Sequence, residues 1–258
     1  MRWCGGVSDE EDRQANRQRF GQTMTRGTQI PLPMRREDLA TWENWLSRSA
    51  TEALERWVGT APEEKRSAYV WGSAGMGKSH VLQACCDRGG NDARYLPLHD
   101  LLNYPPEHVL AGVEEAGLIA IDDIDAIESE SHWHEPLFNL FNQSQERGGC
   151  LIVAAACAPQ RLSRLLPDLR SRLGSLPVFH LPAFSEDHIA ALLGLRAQAA
   201  GLQLSDEVGR YCALRLARDP RAVLGFIEQL DHLSLAQSRA ITIPFVRESG
   251  LLLPPVAR

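Results

Sequence analysis

Lysine is nearly absent from this 258-residue chain: of its 27 lysine and arginine residues, only Lys65 and Lys78 are lysines. Acidic residues number 33, so the formal net charge is −6. An acidic chain lacks the overall charge with which general nucleic-acid-binding proteins neutralise phosphates, and this argues against that class of protein. A local basic patch remains compatible with this composition.

Long apolar runs are also missing. No run approaches the roughly 20 residues that cross a bilayer, and the N-terminus has no apolar stretch of the kind found in secretory signals. The six cysteines include no Cys-x-x-Cys pair, which argues against a zinc ribbon or a thioredoxin-like motif. His132, His134 and Glu135 resemble metal ligands, but no further ligand follows at a suitable spacing, and we interpret them as a polar loop. We therefore expect a cytoplasmic protein.

The middle of the chain alternates short apolar runs with helical patterns. We expect strands at 67–71, 95–98, 117–121, 150–156 and 178–181. Because the third and fourth runs are apolar throughout, they predict strands of a parallel sheet that is covered on both faces, which is the α/β class. A helical pattern also begins near Arg35 and includes Trp42 and Trp45.

After residue 182 the strand signals stop and three helical patterns follow. We expect helices at 186–200, 205–217 and 220–238, with Ser185 and Ser205 as N-caps of the first two. These patterns predict a small all-helical second domain, followed by a possible extended piece at 240–244. Residues 1–28 are polar with charges of both signs, so we expect them to be disordered, and Met24 is an alternative start.

Residues 72–79, G-S-A-G-M-G-K-S, fit the phosphate-loop pattern G-x-x-x-x-G-K-[ST] between a predicted strand and a predicted helix. Glycines let backbone N–H groups converge on phosphate oxygens, and the N-terminus of the following helix adds partial positive charge. Lys78 is placed to reach the β- and γ-phosphates, and Ser79 to bind Mg²⁺. The expected nucleotide-binding residues are Gly72, Ser73, Ala74, Gly75, Met76, Gly77, Lys78 and Ser79.

Two acidic residues end a buried apolar strand, L-I-A-I-D-D. Because ligands of α/β proteins bind at the carboxyl ends of strands, we expect Asp122 and Asp123 close to the phosphate loop. Asp122 is the expected Mg²⁺ ligand, acting through water, and Asp123 is the group expected to polarise an attacking water. The expected cofactors are ATP or ADP and Mg²⁺.

These two motifs resemble those of AAA+ ATPases, and specifically those of the DnaA branch. His80 follows Ser79 as in that branch, so the resemblance adds His80 to the expected nucleotide-binding residues, and I-D-D-I-D-A-I resembles its second acidic motif. The resemblance runs from about residue 37 to about residue 238 and implies a AAA+ P-loop core with a five-stranded parallel sheet and a small all-helical lid. The implied division is a flexible segment at 1–36, a nucleotide-binding core at 37–182, a lid at 183–240 and a C-terminal tail at 241–258.

The resemblance also implies roles for three arginines. Arg172, within L-R-S-R-L, resembles the arginine finger that reaches the nucleotide of a neighbouring subunit, and Arg170 is the second choice. Arg221, within D-P-R-A-V-L, resembles the sensor-2 arginine that contacts the phosphates in cis. A solvated charge on a helix is the alternative for each. In the family, the sensor-1 position is a polar residue at the end of the strand that follows the second acidic motif. Here that position falls near 154–157, where the sequence is A-A-A-C. Slow or absent ATP hydrolysis by this chain is therefore expected.

About twenty residues follow Ser238, which is too few for the helix-turn-helix domain that continues DnaA initiators. The chain therefore resembles the Hda group, which are regulators that inactivate DnaA. Upstream of the core, Gln29, Ile30, Pro31, Leu32, Pro33 and Met34 resemble a sliding-clamp-binding peptide. Its prolines favour an extended chain and Leu32 suits an apolar cleft, although a proline-rich linker is the alternative.

The resemblance implies a clamp-tethered regulator that stimulates ATP hydrolysis by DnaA through Arg172. The expected partners are the DnaA initiator, the DNA polymerase III sliding clamp and further copies of the chain, without membrane or sequence-specific DNA contact. One alternative is a helicase-loader-like AAA+ ATPase acting on single-stranded DNA, which the lack of a basic aromatic stretch disfavours. The other is a small-molecule P-loop kinase, which would phosphorylate a metabolite without a protein partner.

Overall fold

The computed structural model describes residues 40–59, 67–237 and 239–252. The polar segment at 1–28 and the clamp-binding peptide at 29–34 lie outside the described residues, so what the sequence predicts for them stays a prediction. The described residues are built around one sheet of five strands.

The five strands are β1 (Ala68–Trp71), β2 (Ala93–Pro97), β3 (Leu118–Asp122), β4 (Cys150–Ala155) and β5 (Val178–His180). Their order across the sheet is β2-β3-β4-β1-β5, and every neighbouring pair is parallel. This confirms the α/β prediction with its five-stranded parallel sheet. Because the strands are parallel, they all end at one edge, which is where open α/β sheets bind ligands.

Different helices cover the two faces of the sheet. On one face Val70 and Ile152 pack with the helix that follows the phosphate loop and with the C-terminal helices. On the other face Tyr69 and Leu151 pack with the two helices that precede β4 and β5. Successive strand residues point to opposite faces, so a strand covered on both sides must be apolar throughout.

The helices of this part are α1 (Glu52–Gly59), α2 (Lys78–Gly89), α3 (Leu98–Leu101), α4 (Pro106–Val109), α5 (His134–Glu146) and α6 (Pro167–Ser175). Short 3₁₀ turns lie at Gly90–Asp92, Val113–Glu115, Ile124–Ser129, Ser131–Trp133 and Pro159–Arg161. His134 is buried and its Nε2 bonds to the carbonyl oxygen of Ile127 at 2.9 Å. This ring is part of the fold, and the described residues contain no group of three side chains suited to a metal.

The C-terminal part of the described chain is helical: α7 (Glu186–Ala199), α8 (Asp206–Ala213), α9 (Pro220–Gln237) and α10 (Ile243–Glu248). Ser185 begins α7 with a capping box, in which its Oγ accepts the N–H of His188 and His188 Nδ1 accepts the N–H of Ser185, both at 3.2 Å. Ser205 caps α8 by accepting the N–H of Val208 at 3.4 Å. Both predicted N-caps are confirmed.

Among the stretches that differ from the expected secondary structure, one is the helical pattern around Trp42 and Trp45. Residues 40–51 form turns and irregular backbone instead of a helix. Thr51 ends this stretch, where its Oγ1 accepts the N–H of Arg48 at 3.1 Å. Such local side chain–backbone bonds compete with the helical ladder, while the tryptophan spacing still suits packing on one side.

Another difference is the extended piece expected at 240–244, which is wrong at its last two residues. Thr242 caps α10, with its Oγ1 accepting the N–H of Phe245 at 3.4 Å. Pro244 falls in the first turn, where a helix needs no N–H partner, and Phe245 and Val246 are buried. None of the helices in the described ranges is both long enough and apolar enough to cross a membrane.

Candidate functional site

The phosphate loop joins β1 to α2 at the carboxyl edge of the sheet, in the predicted strand–loop–helix order. Gly72 donates its N–H to the carbonyl oxygen of Ala155 at 3.2 Å, which ties the start of the loop to the end of β4. Gly75 and Gly77 have φ of 78° and 97°, in the left-handed region that glycine adopts without strain. The loop therefore turns back on itself and presents the N-terminus of α2, which begins at Lys78.

Two other parts of the chain lie against the loop at its first and last glycines. A Cβ added to Gly72 would lie 2.6 Å from the carbonyl oxygen of Leu181, which follows β5. A Cβ added to Gly77 would lie 3.0 Å from the ring of Trp45. Close packing and backbone conformation therefore both require glycine in this loop.

Lys78 is 7% exposed although it carries a charge. Its Nζ donates hydrogen bonds to the carbonyl oxygens of Gly72 at 2.9 Å and of Ser73 at 3.1 Å. Carbonyl dipoles offset only part of the charge of a buried ammonium, so this group strongly attracts an anion. The loop thus combines a buried cation with a helix N-terminus, and both favour negative charge.

Asp122 ends β3 and is 1% exposed. Its Oδ1 accepts the N–H of Asp123 at 3.0 Å, and its Oδ2 accepts the phenol O–H of Tyr95 at 2.7 Å. Both carboxylate oxygens are therefore held in place. Tyr95 belongs to no sequence motif, because only the pairing of β2 with β3 brings it to Asp122.

Asp123 has a φ of 53° and is the one residue other than glycine with positive φ among the described residues. Burial raises the pKa of its half-buried carboxyl, and the neighbouring Asp122 and Asp125 raise this pKa further, while Lys78 and His99 oppose the rise. A carboxylate with a raised pKa is a stronger proton acceptor, which suits the expected action on water.

Ser79 and Asp122 fit a magnesium ion by their chemistry. A hydroxyl and a carboxylate are hard oxygen ligands, and Mg²⁺ keeps several waters beside such ligands. The phenol of Tyr95 bonds to Asp122 and is also within interaction range of Ser79, so α2 and β3 bring the two groups to one place. The side chains present therefore fit the ion that the family resemblance implies.

His80 lies on α2 but contacts the segment before α1 through its ring. Its Nε2 is 2.9 Å from the carbonyl oxygen of Thr41, and its ring lies 5.2 Å from that of Trp45. Burial lowers the pKa of this histidine, so the neutral ring is favoured. The structure thus places His80 beside Trp45, which in turn covers Gly77.

The end of β4 is apolar, as its sequence requires. The N–H of Ala156 donates to Oδ1 of Asp125 at 3.0 Å, and Tyr69 donates its O–H to the carbonyl oxygen of Cys157 at 2.9 Å. These bonds use backbone groups of 156–157, and the side chains here are alanine and cysteine. β4, the strand next to β3, therefore ends without the polar side chain that the family resemblance predicts at this position.

Arg170 and Arg172 lie on α6, which packs on the sheet through the buried Leu169 and Leu173. Arg172 is exposed. Arg170 is half-buried beside a surface hollow of about 440 Å³, lined by Pro159, Gln160, Pro167, Arg170, Ser171 and Gly174. Among the hydrogen bonds and ion pairs of the described residues, none joins either arginine to the phosphate loop of the same chain.

Arg221 lies in the first turn of α9, and the start of this helix touches the phosphate loop. Asp219 caps the helix, since its Oδ1 accepts the N–H of Arg221 at 2.9 Å. A Cβ added to Gly75 would lie 2.5 Å from the same Oδ1. The helical part thus brings Asp219 against the loop, and Arg221, two residues further along the chain, is exposed.

The described residues have the AAA+ fold: a parallel sheet with a phosphate loop after β1, an acidic end of β3 and a helical C-terminal part. Residues 186–249 match the family model described as Hda, lid domain. The helical C-terminal part of the chain is therefore similar to the Hda lid.

Solved structures give the same fold. Domain III of the replication initiation protein DnaA from Thermotoga maritima is 19% identical with a TM-score of 0.72, over 85% of this chain and 98% of that chain. AMPPCP-bound DnaA from Aquifex aeolicus is 21% identical with a TM-score of 0.66, over 76% of this chain and 66% of that chain. The RuvB A156S mutant of Thermotoga maritima is 15% identical with a TM-score of 0.65, over 81% and 71%. At these identities the likeness is one of fold.

Proposed function

We propose that this chain is a cytoplasmic regulator of replication initiation that binds ATP or ADP and stimulates ATP hydrolysis by a DnaA initiator. The observation that carries the proposal is the separation of two charged groups. Lys78 is buried inside the phosphate loop, whereas Arg172 is exposed on α6 and available to a second molecule. The match of residues 186–249 to the Hda lid supports DnaA as that second molecule.

In the proposed complex the chain's own nucleotide lies in the phosphate loop. Backbone N–H groups of 73–79 and the ammonium of Lys78 bind the phosphates, and Arg221 approaches them from the start of α9. Ser79 and Asp122 hold Mg²⁺, which supplies charge neutralisation when it is bound. Because β4 ends in alanine and cysteine, we propose that this nucleotide is hydrolysed weakly and mainly sets the shape and self-association of the chain.

The action on DnaA is assigned to α6. Arg172 extends toward the ATP of DnaA and stabilises the negative charge that develops as the γ-phosphoryl group is transferred to water. Arg170, half-buried beside it, supports the same surface. An arginine supplied in trans contributes on the order of 10³–10⁵ in rate in GTPases, so its loss has a large expected effect.

The clamp peptide at 29–34 is proposed to concentrate the regulator on DNA-loaded clamps. The test measures ATP hydrolysis by DnaA with the regulator and with DNA-loaded sliding clamp. Wild type is expected to stimulate hydrolysis, and Arg172→Ala is expected to lose this effect. Arg210→Ala removes the same charge from an exposed position on α8 and serves as the matched control. Stimulation that survives Arg172→Ala would reject the trans role.

A second measurement separates tethering from catalysis. Retention on immobilised clamp is expected for wild type and for Arg172→Ala, and is expected to be lost when Gln29 and Leu32 are both replaced by Ala. Tight, steeply salt-dependent binding to single-stranded DNA without any effect on DnaA would instead favour the helicase-loader alternative.

A further inference from the structure

Tyr95 connects the two halves of the candidate magnesium site, although no motif includes it. It lies on β2 opposite Ala120 of β3, and the next pair on the same face is Pro97 opposite Asp122. Tyr95 packs on the face of the sheet that α2 covers. Its ring therefore runs along this face toward the strand ends, where α2 begins with Lys78 and Ser79.

The phenol oxygen of Tyr95 is hydrogen-bonded to one polar side chain and lies near two others. Its O–H donates a hydrogen bond to Oδ2 of Asp122 at 2.7 Å. Ser79 and Gln83, one turn apart on α2, are within interaction range of the same phenol. Burial and the carboxylate of Asp122 raise the pKa of Tyr95, while Ser79 and Gln83 oppose the rise, so the phenol stays a donor.

This arrangement leaves Asp122 little freedom. A carboxylate at the end of a buried strand can rotate about its terminal bond, and its two oxygens then exchange places. Here Oδ1 accepts from the backbone of Asp123 and Oδ2 accepts from Tyr95, so one orientation is selected. The remaining lone pairs of the two oxygens are directed by these bonds.

We infer that Tyr95 is a positioning residue that orients Asp122 toward Ser79 and thereby couples Mg²⁺ to nucleotide binding. The inference rests on the proposed nucleotide site. Tyr95 acts through Asp122 and does not touch nucleotide itself. Mutation of residues that orient metal ligands in this way typically lowers metal affinity by about 10- to 100-fold.

The experiment measures binding of ADP by calorimetry, once in excess MgCl₂ and once in excess EDTA. The readout is the ratio of Kd in EDTA to Kd in MgCl₂. Wild type is expected to have a ratio well above one, and Asp122→Asn is expected to bring it close to one. Tyr95→Phe keeps the ring and removes one hydroxyl, and it is expected to lower the ratio by about 10-fold with an unchanged Kd in EDTA.

Tyr69→Phe is the matched control. Tyr69 lies in the same sheet on β1, is buried and donates its O–H to the carbonyl oxygen of Cys157 at 2.9 Å. Tyr69→Phe, like Tyr95→Phe, removes one hydrogen-bonded hydroxyl. The hydroxyl of Tyr69 bonds to a backbone carbonyl, however, and not to the candidate Mg²⁺ ligand Asp122. We expect its ratio to equal that of wild type.

The outcomes separate the inference from the proposal on which it rests. Wild type that gives no heat with ADP in either solution, while well folded by thermal melting, rejects the proposed nucleotide site. Wild type that binds ADP equally in both solutions rejects the inference. So does Tyr95→Phe with a wild-type ratio, or with Kd weakened by the same factor in both solutions, because a structural role alone gives that pattern.

Discussion

The phosphate-loop edge of the sheet and helix α6 hold their charged side chains in opposite ways. Lys78 and Asp122 are 7% and 1% exposed, and each is hydrogen-bonded to groups of its own chain. Arg172 is exposed on a helix whose buried side consists of Leu169 and Leu173. The first region is ordered before any ligand arrives, and the second leaves its charge in solvent.

The difference follows from what each region has to bind. A buried, prearranged site needs little reorganisation when a phosphate enters, and its low dielectric strengthens the attraction. An exposed arginine keeps its rotamer freedom and hydration until a second molecule orders it. The phosphate loop and the acidic end of β3, the cis site, can therefore be complete within one chain, whereas the role proposed for α6 requires a second molecule.

The largest expected effect tests whether the two regions are independent. Lys78→Ala removes the buried ammonium, and the loss of two charge-assisted hydrogen bonds to phosphate is expected to weaken ADP about 100-fold. Arg172→Ala is expected to leave the ADP affinity of its own chain in place. Calorimetry with ADP measures both variants. A comparable loss with Arg172→Ala would mean that α6 belongs to the cis site, and the comparison would fail.

The next effect concerns the contact between the loop and α9. Gly75→Ala forces a side chain onto a residue with φ of 78° and places its Cβ 2.5 Å from Oδ1 of Asp219. The left-handed conformation costs about 1–2 kcal/mol, and displacing the N-cap of α9 adds about 1 kcal/mol. Urea unfolding measures the combined loss of stability.

Gly201→Ala separates these two contributions. Gly201 has φ of 74°, but an added Cβ meets nothing within 4 Å. The control thus has the backbone strain without the contact, and Gly75→Ala is expected to be the more destabilising by about the value of the cap. Equal losses for the two variants would show that Asp219 does not press on the loop in solution.

Much of the fold could be predicted because the signals are local. The apolar runs that became β3 and β4 can be buried only between two layers of helices, and the glycine spacing of 72–79 allows few other structures. Ser185 and Ser205 precede acidic, helix-forming residues, so the two N-caps could also be predicted from the sequence. These features depend on residues within a few positions of one another.

The rest could not be predicted because it depends on which segments meet. Tyr95 reaches Asp122 only because β2 pairs with β3, and Asp219 reaches Gly75 only through the position of α9. Trp45 shows the same limit, since its spacing from Trp42 suits a helix and also suits the irregular segment that covers Gly77. Long-range contacts thus determine the positions of these three residues.

A smaller effect is expected at the start of the lid. Ser185→Ala removes the half of the capping box in which Oγ accepts the N–H of His188, and it is expected to lower the free energy of unfolding by about 1 kcal/mol. Ser185→Gly is the control, because glycine at an N-cap loses only a few tenths of that energy. Urea unfolding of both variants tests the cap, and wild-type stability for Ser185→Ala would show that the bond from the N–H of His188 to Oγ contributes nothing.

The smallest expected effect concerns the carboxylate of Asp123 and tests whether its charge lowers the stability of the folded chain. Burial and the neighbouring carboxylates raise the pKa of Asp123, so the folded state favours the protonated form and ionisation opposes folding. Asp123→Asn removes that opposition and keeps a residue that tolerates φ of 53°. Because the side chain is only half-buried and solvent screens it, the expected gain is about 0.5 kcal/mol at neutral pH.

The sign of the pH dependence distinguishes this cause from a simple change in packing. Well below the ordinary carboxyl pKa of about 4, Asp123 is protonated in both folded and unfolded chains, so Asn gives no gain. As pH rises through the ordinary value and then through the raised pKa of the folded state, the cost of ionisation develops fully and so does the gain from Asn. Thermal melts of both proteins across this range test the prediction. A gain that is independent of pH would show that Asn relieves backbone strain instead, and the buried carboxylates of the cis site would then carry no electrostatic penalty at Asp123.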